Sequence, residues 1–499
     1  MKESMYVKIA FVLLLAIFFA HSAAGEVRSP AIFADHMVIQ RDLPVHVWGF
    51  AAAGEEVRVS FRGASRTVTA DRLGQWQAFL PAGGPGGPFT LEIAGKNKLS
   101  FTDVFVGDVW VASGQSNMEF SMKEVANADA ELKNANQPAI RLFKVESTAA
   151  DYPMSDVAAK PWTLSTRESA TDFSAVAFLF GREIHADQKV AIGLIESNWG
   201  GTPAEAWTSL STLGADAALM PEFAAFAKLA EEEGAYQLER KDQEAQIAKA
   251  KEEGKPAPQF PWHADLRSWM PSALYNGMIS PLTPYPIRGV IWYQGESNAG
   301  PERAPTYNHL FESMIRDWRS QWNIGDFPFL FVQIANWKAG PDSMWPTVRD
   351  AQRRTLQLKN TGMAVAIDIG NPDNIHPTNK QDVAHRLGLA ARAIAYGETL
   401  EFSGPLYRLN SIEGSSLRVA FTHGAGLVAK GGELRGFEVA GADHKFVSAK
   451  ATIDHDSVVV TNPAVVSPVY VRYGWDSNPD CNLYNAAGLP ASPFTSEPR

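Results

Sequence analysis

At 499 residues the chain is too long for one average domain, so two or three are expected. With 45% hydrophobic and 20% charged residues it can bury a large core, which excludes a mainly disordered chain. A formal net charge of −10 argues against nucleic acid as a partner, and the single cysteine, Cys481, excludes an intramolecular disulfide.

The first segment reads as an export signal. Lys2 and Lys8 flank a short polar start, residues 9–20 are purely apolar, and Ser22-Ala-Ala24 supplies small residues for cleavage after Ala24. The apolar run is short for a bilayer span, and no cysteine near the cleavage point offers a lipid anchor. Residues 1–24 are therefore read as a signal peptide. The mature protein is expected to be exported, periplasmic or extracellular, with no stable membrane association. Removing Lys2, Glu3 and Lys8 leaves 43 basic and 54 acidic residues, a net charge of −11.

Residues 25–100 read as a β-sandwich domain. Val45-His-Val-Trp48, Glu56-Val-Arg-Val-Ser60, Trp76-Gln-Ala-Phe79 and Phe89-Thr-Leu-Glu-Ile93 alternate with period two, and the Gly/Pro-rich residues 81–88 read as a loop. Residues 101–400 alternate strands with helices. The strand candidates at 104–112, 190–197, 289–293, 329–334 and 364–367 are nearly continuous apolar runs, as parallel strands buried on both faces require. Helices are expected at about 175–186, 307–321 and 381–395. The pattern breaks at about 212–270, where an Ala/Glu/Lys/Gln-rich helix with a solvated face precedes the Pro-rich stretch Lys255-Pro-Ala-Pro-Gln-Phe-Pro-Trp262. Residues 401–499 return to β-pattern as a second sandwich. The fold class is thus α/β, a parallel sheet sandwiched by helices and flanked by β-sandwich regions at both ends. Most of the 14 tryptophans are expected to fill cores.

Ligand sites in such sheets lie beyond the carboxyl ends of the strands. Gly114-Gln115-Ser116-Asn117 follows the first long strand and precedes a helix-permissive segment, which is where an α/β hydrolytic fold displays a serine nucleophile. Trp199-Gly-Gly201, Trp292-Tyr-Gln-Gly-Glu-Ser-Asn298 and Asp373-Asn-Ile-His376-Pro-Thr-Asn-Lys380 follow other predicted strands at the same edge. Serine needs a base to take its proton, and His376, in a loop after a buried strand, is best placed among the 11 histidines. Gly200-Gly201 suits either a close backbone approach or a plain tight turn. Metal-binding and phosphate-cradling spacings are absent, so no metal and no cofactor are expected.

These segments, with Trp199-Gly-Gly-Thr-Pro-Ala-Glu-Ala-Trp207, Pro271-Ser-Ala-Leu-Tyr-Asn-Gly-Met278 and the C-terminal Leu483-Tyr-Asn-Ala-Ala-Gly-Leu-Pro-Ala-Ser-Pro-Phe494, resemble the sialate O-acetylesterase-like proteins, a branch of the SGNH-type carbohydrate esterases. The resemblance covers nearly the whole mature chain. It implies a serine esterase removing O-acetyl groups from sugars, with Ser116 as nucleophile and His376 as base. Asp373 would be the orienting acid, by the Asp-x-x-His spacing of SGNH-type esterases. The Ser116 N–H, the Gly201 N–H and the Gln294 amide, preferred over Asn298, would form the oxyanion hole. Many relatives carry the acid two residues before the histidine, where this chain has Asn374. Asp368 and Glu296 are therefore further candidates.

An O-acetylated carbohydrate is the implied substrate. The sialoside and a plant polysaccharide, xylan or xyloglucan, remain alternatives, because the motifs do not separate them. A sialate carboxylate calls for an arginine, with Arg288, Arg303 and Arg386 available. A non-catalytic carbohydrate-binding protein is the rival from another class. A lipid esterase lacks support, since the chain shows no amphipathic apolar lid.

Overall fold

The structure, a computed structural model, describes residues 26–260 and 262–498. The signal segment expected at 1–24 lies outside them. Seven strands form the central sheet, in the spatial order Thr361–Val365, Phe329–Gln333, Gly289–Tyr293, Lys98–Gly114, Ile192–Asn198, Gln137–Lys144 and Thr163–Ser165. The first six run parallel and the short last one is antiparallel.

Side chains alternate across this sheet and so feed two cores. Val290, Trp292, Phe329 and Phe331 pack with Tyr307, Phe311 and Trp318 of helix Tyr307–Trp322 and with Val348 of helix Trp345–Thr355. Ile291, Tyr293, Leu330 and Val332 face the other layer. There they meet Val176, Phe180 and Ile184 of helix Ala175–Gln188 and Val383 and Leu387 of helix Lys380–Ile394. Fully buried strands explain the unbroken apolar runs of the sequence.

The strand Lys98–Gly114 is 17 residues long. Its first half pairs with Gly86–Ala94 of the N-terminal β-region and alternates in burial, while its second half is buried throughout as the middle of the parallel sheet. One strand thus serves two environments, and its pairing with Gly86–Ala94 shifts register just before the pattern changes. The N-terminal strand Gly86–Ala94 also begins inside the stretch read as a loop.

Strand Gln137–Lys144 is absent from the sequence reading. Pro138 and a buried Arg141 interrupt its apolar pattern. The arginine is accommodated by an ion pair with Asp103 at 3.1 Å and by the face of Phe105.

Between strands Ile192–Asn198 and Gly289–Tyr293, Met220–Glu252 forms a 33-residue helix that buries only Glu222 and Ala225. At the C-terminus, two four-stranded sheets enclose a core of Leu417, Val419, Val458, Val460, Val439, Val471 and Phe494. Cys481 sits in this region, and burial pushes its thiol up to about 11, as suits an unreactive residue.

Candidate active site

The central strand ends at Gly114, level with Asn198 on one side and Tyr293 on the other. Gly114 has φ of 135°, and a Cβ there would lie 2.2 Å from the Tyr293 carbonyl oxygen, so only glycine fits. The chain then turns between its neighbours: Gln115 N–H donates to Tyr293 O at 2.9 Å, and Trp199 N–H donates to Gly114 O at 3.1 Å. Ser116 opens the short helix Ser116–Glu119. As its first residue it has no carbonyl within the helix to receive its N–H.

His376 arrives from the loop after strand Thr361–Val365, just before Asn379 caps helix Lys380–Ile394. Its Nε2 lies 2.9 Å from Ser116 Oγ. For Nε2 to accept the hydroxyl proton, the ring proton must sit on Nδ1. Burial, followed by the facing Lys380 ammonium, holds the His376 pKa below its ordinary value, while Glu124 pulls it upward.

Asn117, the last residue of the tetrapeptide, is buried beneath this pair. Its Nδ2 donates to Glu296 Oε1 at 2.8 Å and to the Ile375 carbonyl at 3.1 Å, and its Oδ1 accepts from Lys380 Nζ at 2.5 Å. The serine turn and the histidine loop are therefore joined through one side chain. Lys380 is fully buried against the rings of Phe120 and Tyr293, and burial drives its pKa down to about 7 despite Glu296 and Glu124. Neither Asn117 nor Lys380 emerges from sequence reasoning. The signal is their position, one residue after the serine and one helical start after the histidine.

Other expected site residues lie elsewhere. Asp373 is not brought to His376: its side chain is 84% exposed and pairs with Lys338 at 3.5 Å. The loop's own turn dictates this. Asn371 Oδ1 accepts the Asp373 N–H and Asn374 Oδ1 accepts the His376 N–H, both at 2.9 Å, which directs the carboxylate outward. Asp368 is held by Arg386 at 2.6 Å, and Glu296 by Asn117. The carboxylate that acts on His376 electrostatically is Glu124, which caps the Ser121 turn.

Gln294 is not aimed at Ser116 either. It is fully buried, with its amide nitrogen donating to Thr202 O at 3.2 Å and Asn298 Oδ1 at 2.6 Å, while its oxygen accepts from Tyr307 at 3.0 Å. Asn298 in turn accepts the Ala204 N–H and donates to Glu205. The motif Gln294–Asn298 thus fixes the 200–205 turn from beneath. In that turn Gly200 lies against Ser116, since a Cβ on it would be 3.3 Å from the serine Cβ. Its N–H donates to Glu119 Oε2 at 2.7 Å. The Gly201 N–H has no partner among the described residues, and Gly201 takes a positive φ of 71°.

Ser116, His376, Glu119, Phe120, Ser121, Lys123, Glu124, Lys144 and Asp172 line an open cleft of about 470 Å³. Among the described residues no group of three or more His, Cys, Asp or Glu side chains could hold a metal ion.

A hydroxyl beside an imidazole at the carboxyl edge of a parallel sheet is an arrangement for acyl transfer. The sequence profile of the carbohydrate esterases described as sialic acid-specific acetylesterases matches residues 106–227 and 264–394. The chain belongs to this family. The sialate O-acetylesterases of Mus musculus and Rattus norvegicus are 31% and 32% identical to it, with 97–98% of both chains covered. A carbohydrate acetylesterase from Xanthomonas citri has a solved structure 40% identical to this carbohydrate esterase, with a TM-score of 0.82 over 95% of this chain and 100% of that one. The protein is accordingly a carboxylic ester hydrolase of the carbohydrate acetylesterase class. The family profile passes over residues 228–263, most of the exposed helix and the strap behind it.

Proposed function

We propose that Ser116 and His376 form the reacting pair of an esterase that removes O-acetyl groups from sugars, sialosides first. The observation that carries this reading is the 2.9 Å contact between Nε2 and Oγ at the strand edge. Ser116 Oγ attacks the acetyl carbonyl carbon while its proton passes to Nε2. The carbonyl electron pair moves onto oxygen, for which the N–H groups of Ser116 and Gly201 are the proposed donors. Collapse breaks the bond to the sugar oxygen, which takes the proton from Nε2, and the acetyl group stays on Ser116. Water then attacks the acetyl-enzyme with His376 again as base, releasing acetate and restoring the serine.

A second reading, a neutral O-acetylated polysaccharide such as xylan or xyloglucan, is supported by a cleft lining that holds no arginine among the described residues. Arg288 donates to the Ala395 carbonyl, Arg303 pairs with Glu205 and Arg386 with Asp368, and none of the three lines the cleft at Ser116. Lys123 and Lys144 line the cleft but are paired with Asp172 and Glu196.

Acetate release from a 9-O-acetylated sialoglycoconjugate and from acetylated xylan or xyloglucan, measured side by side, separates the two. Ser116→Ala should lower release by about a thousandfold or more. Retained activity in that variant would remove Ser116 from the mechanism. The signal read at residues 1–24 further supports export, which N-terminal sequencing of the mature protein checks.

A further inference from the structure

The strap behind the long helix brings an indole to the oxyanion turn. Trp262 is 66% exposed, yet it is not free at the surface. A Cβ on Gly201 would meet its Cζ2 at 2.7 Å, so the indole lies over that glycine. Gly201 is one residue, about 3.8 Å along the backbone, from the Gly200 that touches Ser116.

The placement is fixed from several sides. Trp269 donates its indole N–H to the Gly201 carbonyl at 2.6 Å, and its ring packs 5.9 Å from Trp262. Arg303 covers Trp269, 4.7 Å from the ring centre, while its Nε bonds Glu205 at 2.8 Å in the same turn. On the far side, His263 stacks on Tyr236 of the long helix at 4.0 Å. Asp265 then caps the short helix Leu266–Trp269 through the Ser268 N–H. The exposed helix Met220–Glu252 therefore anchors a strap that carries one large apolar ring to the edge of the reacting centre. A water-facing indole has its apolar surface and ring electrons available to a ligand.

We propose that Trp262 is the stacking platform of this esterase, receiving the apolar C–H face of the pyranose ring that carries the scissile acetyl ester. The inference rests on the reading of the site as a sugar O-acetylesterase. Stacking on a flat ring orients the sugar without needing its charge, so the platform serves a neutral pyranose as well as a sialoside. Trp262 lies outside the stretches that the family profile matches.

The test compares Trp262→Ala, Trp262→Phe and Tyr236→Ala in the full mature protein. Each is assayed on an O-acetylated oligosaccharide that the wild type cleaves and on p-nitrophenyl acetate, which has no pyranose ring. Trp262→Ala should raise KM for the sugar ester, so that the ratio of sugar to p-nitrophenyl activity falls by about fivefold to tenfold. Trp262→Phe, which keeps a flat face, should restore most of the ratio, and Tyr236→Ala, which loosens the strap, should fall between. An unchanged ratio in Trp262→Ala, or no recovery with phenylalanine, overturns the platform. A wild type that hydrolyses p-nitrophenyl acetate but no sugar ester overturns the sugar-esterase reading instead.

Discussion

As the proposed base, His376 should carry the pH dependence of the reaction, and its surroundings give the sign. Burial and Lys380 hold its pKa below the ordinary histidine value of 6.5, so the ring is neutral at pH 7 and ready to accept a proton. The rate follows the unprotonated fraction. kcat/KM should therefore be flat through neutrality and fall on the acid side at a pH below 6.5. Lys380 disfavours the imidazolium and Glu124 favours it, so their removal should act in opposite directions. In Lys380→Met the acid limb should move to higher pH, and in Glu124→Gln to lower pH. Two shifts of the same sign in the pH profile of acetate release would dismiss this electrostatic account. Asp373 gives the contrasting case. Its exposed pair with Lys338 belongs to a class worth little, and Asp373→Asn should keep kcat/KM within about threefold. A loss of a hundredfold or more would mean that the carboxylate turns inward when substrate binds.

At the scale of elements, the serine turn depends on a backbone that only glycine can supply. Gly114→Ala would place a methyl against the Tyr293 carbonyl at a positive φ, and about 3 kcal/mol or more of stability should be lost in urea unfolding. Folding unchanged in that variant would show that the strand end can shift. The motif from Trp292 to Asn298 teaches a related lesson about legibility. Its two amides point to an oxyanion role on chemical grounds, and its position at the strand edge is plain from the apolar run before it. Which way a buried amide faces is another matter, because Gln294 and Asn298 satisfy each other and the 202–205 backbone rather than the cleft. Strand Gly289–Tyr293 and helix Tyr307–Trp322 lie close to where the sequence puts them, since their patterns are uninterrupted. Strand Gln137–Lys144 escapes notice because its buried arginine is stabilised by residues nearly forty positions away.

At the scale of the molecule, the C-terminal β-region braces the loops that carry His376. Arg349, fully buried, donates to the carbonyls of Ile334 and Ala335 in the parallel-sheet region and to those of Asp476 and Ser477 in the C-terminal region. Asn336, next in that seam, joins Gly370 to Asn478, and the Lys338 N–H reaches the Pro372 carbonyl three residues before Ile375. Arg349→Met keeps most of the bulk but leaves the buried carbonyls of Ile334 and Ala335, and the partly buried ones of Asp476 and Ser477, without this donor. At about 1–3 kcal/mol for each of the two buried groups, a loss of about 2 kcal/mol or more is expected in urea unfolding. A midpoint unchanged from wild type would mean that water enters the seam and replaces the guanidinium.

The sequence alone determined the α/β class and the order of most strands and helices, and it singled out the serine and histidine that the fold brings to 2.9 Å of each other. Each of these is written in local pattern: apolar runs of strand length, a glycine-serine turn after one of them, a histidine in the loop after another. Tertiary structure decided the partners. That Asp373 faces solvent, that Glu124 and Lys380 act on the imidazole, and that Trp262 covers Gly201 depend on side-chain directions and, for Trp262 and Glu124, on approaches between residues about 60 and about 250 positions apart. Such contacts leave no period in the sequence, because burial and charge act through space rather than along the backbone.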